Sequence, residues 1–143
     1  MVSGAILVDL LGDRGNVIEY TCLNAEGISG GDLLVLSGAN RAVSKASAAD
    51  TTNAKHFVGI AASEKKPNDG STTIGVITNC TADMAMNAGA GTVTAGTTMV
   101  ISGANLIDAA PTGMTADDSG KIVGTLLDAS TGTSEMVEVR VNK

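Results

Sequence analysis

The sequence predicts an all-β protein, a compact sandwich or barrel of about ten short strands built from two copies of one unit. Three observations support this. The stretch "VLSGAN" at residues 35–40 returns as "VISGAN" at residues 100–105. Glycine is frequent, with 18 residues, whereas proline occurs twice, which favours many tight turns. The apolar runs are short and bounded by turn residues, as in all-β folds.

The repeated hexapeptide belongs to a longer internal match. At an offset of 65 residues, Gly31 aligns with Gly96, and "FVGIA" aligns with "IVGTL". Beyond these strands the offset falls to 63, so that Val76 aligns with Val139. The lost residues fall where a turn is expected, and turns tolerate deletions. The chain therefore reads as a duplicated unit.

This alignment divides the chain. Residues 19–143 form the predicted β domain, with pseudo-repeats at residues 19–79 and 84–142. Residues 1–18 lie outside the repeat and form a predicted N-terminal arm.

Strands are predicted wherever apolar runs meet turn signals. In the first copy these are "DLLVLS", "RAVSKA", "HFVGIAAS" and "STTIGVITN"; in the second they are "TTMVIS", "LIDAA", "KIVGTLL" and "TSEMVEVRVN". The run "DLLVL" is apolar almost throughout, which predicts a strand buried on both faces. The last strand alternates apolar and polar residues, which predicts one dry face and one wet face.

Composition and charge restrict the function. The net charge is −6, the sequence pI is about 4.5, and the nine Lys and Arg residues form no basic run, so nucleic-acid binding is not expected. The longest apolar runs are too short to span a membrane. The N-terminus lacks a signal peptide's positive charge, and we expect no cleaved signal.

No catalytic or metal site is predicted, and no cofactor. His56 is the single histidine, so a hydrolase would depend on it; we expect a strand-edge residue instead. Cys22 and Cys80 are too few for a disulfide framework, and we expect buried apolar residues, although a single bridge stays open. A zinc site would need both cysteines, His56 and a carboxylate together.

Three polar motifs are interpreted as turns. "TADDSG", with Asp117 and Asp118, and "PNDG", with Asn68 and Asp69, are the best calcium candidates, but neither has the alternating oxygen pattern of a calcium loop. The basic segment "EKKP" is expected at a solvated turn rim.

With the repeat laid out, a family resemblance becomes visible. The runs "GISGGDLLVLSGANRAV", "FVGIAAS" and "GSTTIGVITN", continued by "KIVGTLLDA" and "MVEVRV", resemble the capsid decoration (cement) proteins of tailed bacteriophages. The resemblance spans roughly residues 19 to 142. It implies a β-rich structural protein on the outer surface of the virion that clamps neighbouring major capsid proteins, often as a homotrimer, and that is made in the host cytoplasm.

The N-terminal segment is the predicted interface with the capsid or a neighbouring copy. The apolar residues predicted to form this interface are Ile6, Leu7, Val8, Leu10 and Leu11. It either forms an arm that adds a strand or an apolar face to a partner, or forms an extra strand of the protein's own barrel. As an arm, its deletion would leave the fold intact.

The sequence supports other functions less well than capsid decoration. A host-surface adhesin or carbohydrate-binding module would also be β-rich, but sugar sites stack rings on aromatics, and the chain has only Tyr20 and Phe57. A major coat protein would be longer.

Overall fold

The computed structural model of this chain is all-β and describes residues 4–10, 17–38, 40–47, 56–87, 91–115, 119–131 and 136–142. Its strands are β1 (Ile6–Leu10), β2 (Val17–Thr21), β3 (Leu33–Leu36), β4 (Val43–Lys45), β5 (Phe57–Ala61), β6 (Thr73–Ile77), β7 (Asn79–Met86), β8 (Thr98–Gly103), β9 (Leu106–Ala109), β10 (Ile122–Leu126) and β11 (Met136–Asn142). Within these ranges, no helix is long and apolar enough to cross a membrane.

Ten of the strands form two five-stranded sheets with the same connectivity, as in a β-sandwich. We call strands β2 to β6 the first unit; their order is β2-β6-β5-β3-β4. Strands β7 to β11 form the second unit, in the order β7-β11-β10-β8-β9, with β1 added beside β7. Each strand therefore occupies the same place in its sheet as its equivalent in the other unit.

Both sheets curl until their first and last strands meet. Neighbouring strands are antiparallel, but the closing contact is parallel in each unit. Thr21 bridges Ala42 in the first unit, and Ala85 pairs with Leu106 in the second. This shared closure shows that the two units repeat their geometry as well as their sequence.

The two units also share a β-bulge. The register shifts between Leu34 and Val35 where β3 meets β5, and at the equivalent place where β8 meets β10. Gly59 and Gly124 lie at these shifts, and a Cβ on either would collide with a backbone carbonyl oxygen, of Ile77 or of Arg140. Both positions require glycine because the backbones approach too closely for a side chain.

The repeated hexapeptide is a strand end followed by a turn. Gly38 and Gly103 both have positive φ, 94° and 137°, a region that favours glycine. Leu36 pairs with Val43, which leaves six residues in the first turn, 37 to 42. Ile101 pairs with Ile107, with five residues between them, 102 to 106; Gly103 and Leu106 also pair, so the turn itself is Ala104 and Asn105. The second copy is therefore one residue shorter here.

The core has two apolar clusters, and the first unit's sheet is buried on both sides. One cluster fills the interior of the first unit; its buried members are Cys22, Ile28, Leu34, Val43, Val58, Ala61, Ile74 and Val76. The opposite side of the same sheet, which we call the outer face of the first unit, consists of Leu33, Val35, Phe57, Ile60 and Ile77. These five residues join the interior of the second unit in one continuous cluster. The prediction that "DLLVL" is buried on both faces is confirmed.

The N-terminal segment forms a strand of the protein's own sheet. β1 pairs antiparallel with β7, and the Ala5 N–H donates to the Gly31 carbonyl at 2.6 Å, which ties β1 to the first unit as well. Of the two alternatives for this segment, the structure shows the extra strand. β2 begins at Val17, inside the range assigned to the arm.

Candidate binding surfaces

The predicted interface residues lie on β1, at the edge of the six-stranded sheet. Ile6 pairs with Asp83 of β7, yet 54% of its surface is exposed. The pairing is irregular between Leu7 and Asp9, so Val8 lies at a bulge. The side chains of Leu7, Val8 and Leu10, and the whole of Leu11, lie outside the described residues. Among the described side chains of this segment, that of Ile6 is therefore exposed, and it lies on the edge strand β1.

A second strand edge, which was not predicted from the sequence, belongs to β2 of the first unit. Val17 is 54% exposed and Ile18 38% exposed. The Thr21 N–H points away from β6 and donates to the Arg41 carbonyl, whereas the Cys22 N–H points to the β6 side and donates to Thr72. Because N–H direction alternates along a strand, the backbone groups of Val17 and Glu19 also point away from β6.

Arg41 limits this open edge. Its guanidinium donates to the Glu19 carbonyl at 2.9 Å and lies 5.1 Å from the centre of the Tyr20 ring. A charged side chain over an edge is a common protection against unwanted pairing. Among the described residues, no strand pairs with the outward edge of β2 from Val17 to Glu19.

The second unit exposes part of the face that the first unit buries. The residues equivalent to Leu33, Val35, Phe57, Ile60 and Ile77 are Thr98, Val100, Ile122, Thr125 and Arg140; we call them the outer face of the second unit. Thr98, Thr125 and Arg140 are exposed, whereas Ile122 is half-buried and Val100 is buried. An open cleft of about 500 Å³ lies on this face, lined also by Gly124 and Asn142.

The candidate catalytic and metal-binding residues do not come together. No group of three or more His, Cys, Asp or Glu side chains within the described ranges could hold a metal ion. His56 is exposed at the start of β5, where its carbonyl accepts the Leu36 N–H and its ring lies over Gly120. This is the expected strand-edge position. Asp117 and Asp118 lie outside the described residues.

The two cysteines are buried and free, as expected. Cys22 lies in the interior of the first unit and Cys80 in the cluster of the second. Burial raises the pKa of the Cys80 thiol to about 11, and burial also raises that of Cys22. Both thiols are therefore protonated and unreactive near neutral pH, because the thiolate is the reactive form.

The segment "PNDG" forms a turn, as expected. Asn68 has a positive φ of 59°. The carboxylate of Asp69 accepts the N–H groups of Lys66 and Ser71, at 3.2 and 2.8 Å. The Ser71 N–H is the main reason that the pKa of Asp69 is lowered. These bonds commit both carboxylate oxygens to the local backbone, as in other Asx turns.

The expectation that "EKKP" forms a solvated rim is wrong for Lys65, which is 4% exposed. Its ammonium donates to the carbonyls of Asn24 and Glu26, both at 2.8 Å, and lies 3.7 Å from Asp69. A buried ammonium is tolerated when carbonyl oxygens replace its water. Lys65 therefore fastens the loop after β2 to the turn after β5.

The second copy of the hexapeptide joins the two units. The Asn105 side chain donates to the Asp32 carboxylate at 2.9 Å and accepts the Leu33 N–H at 3.0 Å. Asp32 also accepts the Ser29 N–H. In the first copy, Asn40 is exposed and its carbonyl accepts the Thr21 hydroxyl. The same turn motif thus serves different contacts in the two units.

Comparison of the sequence with protein-family models found no match, and a search of curated proteins found none either.

Proposed function

We propose that this chain is a structural virion protein that binds the outer surface of an assembled phage capsid and stabilises contacts between neighbouring coat subunits. The observation that carries the proposal is β1. It lies outside the duplicated unit, forms the edge of the larger sheet, and exposes Ile6. An edge strand can accept a strand from another chain, and its exposed side chains can contact an apolar surface.

The fold suits a clamp. The outer face of the first unit packs into the same cluster as the interior of the second, so the two units form one body with a continuous core. Asn105 and Asp32 add polar contacts between the units. A rigid body with more than one attachment point gains affinity by multivalency, because its second contact forms at high effective concentration. Self-association of the chain multiplies those attachment points.

Sedimentation with expanded, undecorated phage heads tests this function. We expect the purified protein to co-sediment and to saturate at a fixed ratio to coat protein. Ile6→Lys places a charge on the β1 edge, and we expect it to weaken binding by roughly tenfold or more, about 1.4 kcal/mol.

The matched control is Leu127→Lys, which changes another partly exposed apolar residue, in the second unit. We expect it to bind heads like the wild type. Failure of the wild-type protein to co-sediment with heads of any tailed phage tested would contradict the capsid function. Equal binding by both variants would contradict the role of β1.

A further inference from the structure

The open edge of β2 corresponds to an edge that the chain covers in its other unit. The closing pairs Thr21–Ala42 and Ala85–Leu106 make Thr21 equivalent to Ala85. Val17 and Glu19 are then equivalent to Thr81 and Asp83. In the second unit, Thr81 and Asp83 pair with Asp9 and Ile6 of β1. In the first unit, no strand among the described residues pairs with the equivalent edge, from Val17 to Glu19.

We propose that two copies of this chain associate through their β2 strands, paired antiparallel across a two-fold axis. The N–H and C=O groups of Val17 bond to the C=O and N–H groups of Glu19 in the second copy. Glu19 bonds to Val17 of the second copy in the same way. Ile18 then lies beside Ile18 of the second copy, in a pair without direct backbone bonds, where side chains approach most closely. Both Ile18 side chains, 38% exposed in the single chain, become covered.

The sequence of β2 is compatible with pairing to itself. Glu19 stands opposite an uncharged valine, not opposite the second Glu19, so no like charges face each other directly. The Glu19 carbonyl already accepts one bond from Arg41 and has a second lone pair for the new strand. A two-fold contact uses the same surface on both copies, which is the commonest arrangement in homo-oligomers.

This inference does not rest on capsid binding. Pairing through β2 leaves β1 accessible, so each dimer carries two β1 edges. It also differs from the trimer implied by the family resemblance, because a two-fold contact through β2 closes at two copies.

Sedimentation equilibrium of the full chain, over a wide concentration range and without phage heads, tests the proposal. We expect a monomer–dimer equilibrium. Val17→Pro removes an N–H that points away from β6, so the first unit keeps its internal bonds while the edge loses a donor. We expect this variant to stay monomeric, with an unchanged melting temperature, whereas the control Val17→Thr keeps the N–H and still dimerises.

Hydrogen exchange adds a readout at the residues themselves. The amides of Val17 and Glu19 should become more protected as protein concentration rises. Protection that is high and independent of concentration would show that the chain covers its own edge, and would overturn the proposal. A wild-type protein that stays monomeric, or a trimer that Val17→Pro leaves intact, would overturn it as well.

Discussion

The two units have the same strand order, the same bulge and the same glycines at the bulge, yet they treat their outer faces in opposite ways. The first unit presents Leu33, Val35, Phe57, Ile60 and Ile77, all buried against the second unit. The second unit has threonine or arginine at three of the equivalent positions, and these are exposed. The duplicated backbone therefore fixes the sheet, while the side chains on one face decide whether that sheet has a neighbour.

Because of this difference, we expect no further unit to pack on the outer face of the second unit. Repeat proteins need a terminal unit with a polar outer face, because an apolar face there would recruit further copies. Thr98, Thr125 and Arg140 supply that polarity. The predictions below test which features the units share and which separate them.

The largest effect should come from the shared glycines. Gly59→Ala and Gly124→Ala each place a Cβ against a backbone carbonyl, and we expect each to lower the free energy of unfolding by about 3 kcal/mol or more. Gly30→Ala is the control, since its nearest neighbours would be 3.8 Å away. Urea unfolding measures all three. A large loss from one glycine alone would show that the bulge constrains the units differently.

A smaller effect should come from Lys65, which acts in the first unit alone; its equivalent in the second unit is Ser130. Lys65→Met removes two charged hydrogen bonds from the carbonyls of Asn24 and Glu26, and we expect a loss of about 2 kcal/mol. Lys66→Met changes an exposed neighbour and should be nearly neutral. Equal melting temperatures for the two variants would show that the ammonium contributes nothing to stability.

Next in size should be the contact between the units. Asn105→Gly deletes the side chain that bonds Asp32 and Leu33 while tolerating the positive φ of 55°, and we expect a loss of about 1.5 kcal/mol. Asn40→Gly alters the exposed asparagine of the first hexapeptide and should cost less than about 0.5 kcal/mol. Thermal unfolding compares the two. Similar losses would mean that Asn105 matters through its turn and not through the contact between units.

The smallest effect on stability should come from making the outer faces alike. The triple variant Thr98→Leu, Thr125→Ile and Arg140→Ile gives the second unit the residues of the first at these three positions. We expect a change below about 0.5 kcal/mol in the monomer, because surface changes are usually small. Light scattering should nevertheless show new, larger assemblies. A triple variant with wild-type mass at every concentration would contradict the idea that polarity keeps further units off this outer face.

Much of the fold could be predicted because the sequence contains two copies of one unit. The runs "DLLVLS" and "TTMVIS" each contain a strand, and so do the other six runs predicted between turn signals. Two strands were missed. β7 contains Ala82, Asp83 and Ala85, which have low strand propensity, although its inward residues alternate correctly. β2 reads as a strand, but it crosses the predicted boundary at residue 18, so that Val17 and Ile18 fall in the predicted arm and its other three residues in the β domain.

The candidate surfaces were less predictable. Ile6 could be singled out because it lies outside the repeat, but whether β1 joins the protein's own sheet depends on Thr81 and Asp83, more than 70 positions away in the sequence. The open edge of β2 cannot be recognised in the sequence, because an edge is defined by the absence of a neighbouring strand. The burial of Lys65 depends on carbonyl groups of a loop 40 residues earlier, and backbone acceptors are invisible in side-chain patterns.

By itself the sequence determined the all-β class, the duplicated unit and the glycines at its turns, since these follow from local periodicity and from backbone conformations that few residues tolerate. The tertiary structure decided which faces meet, which strand edges stay open, and which asparagine of the repeated turn binds the other unit. Those outcomes depend on contacts between distant segments, and the same turn sequence accommodates either environment.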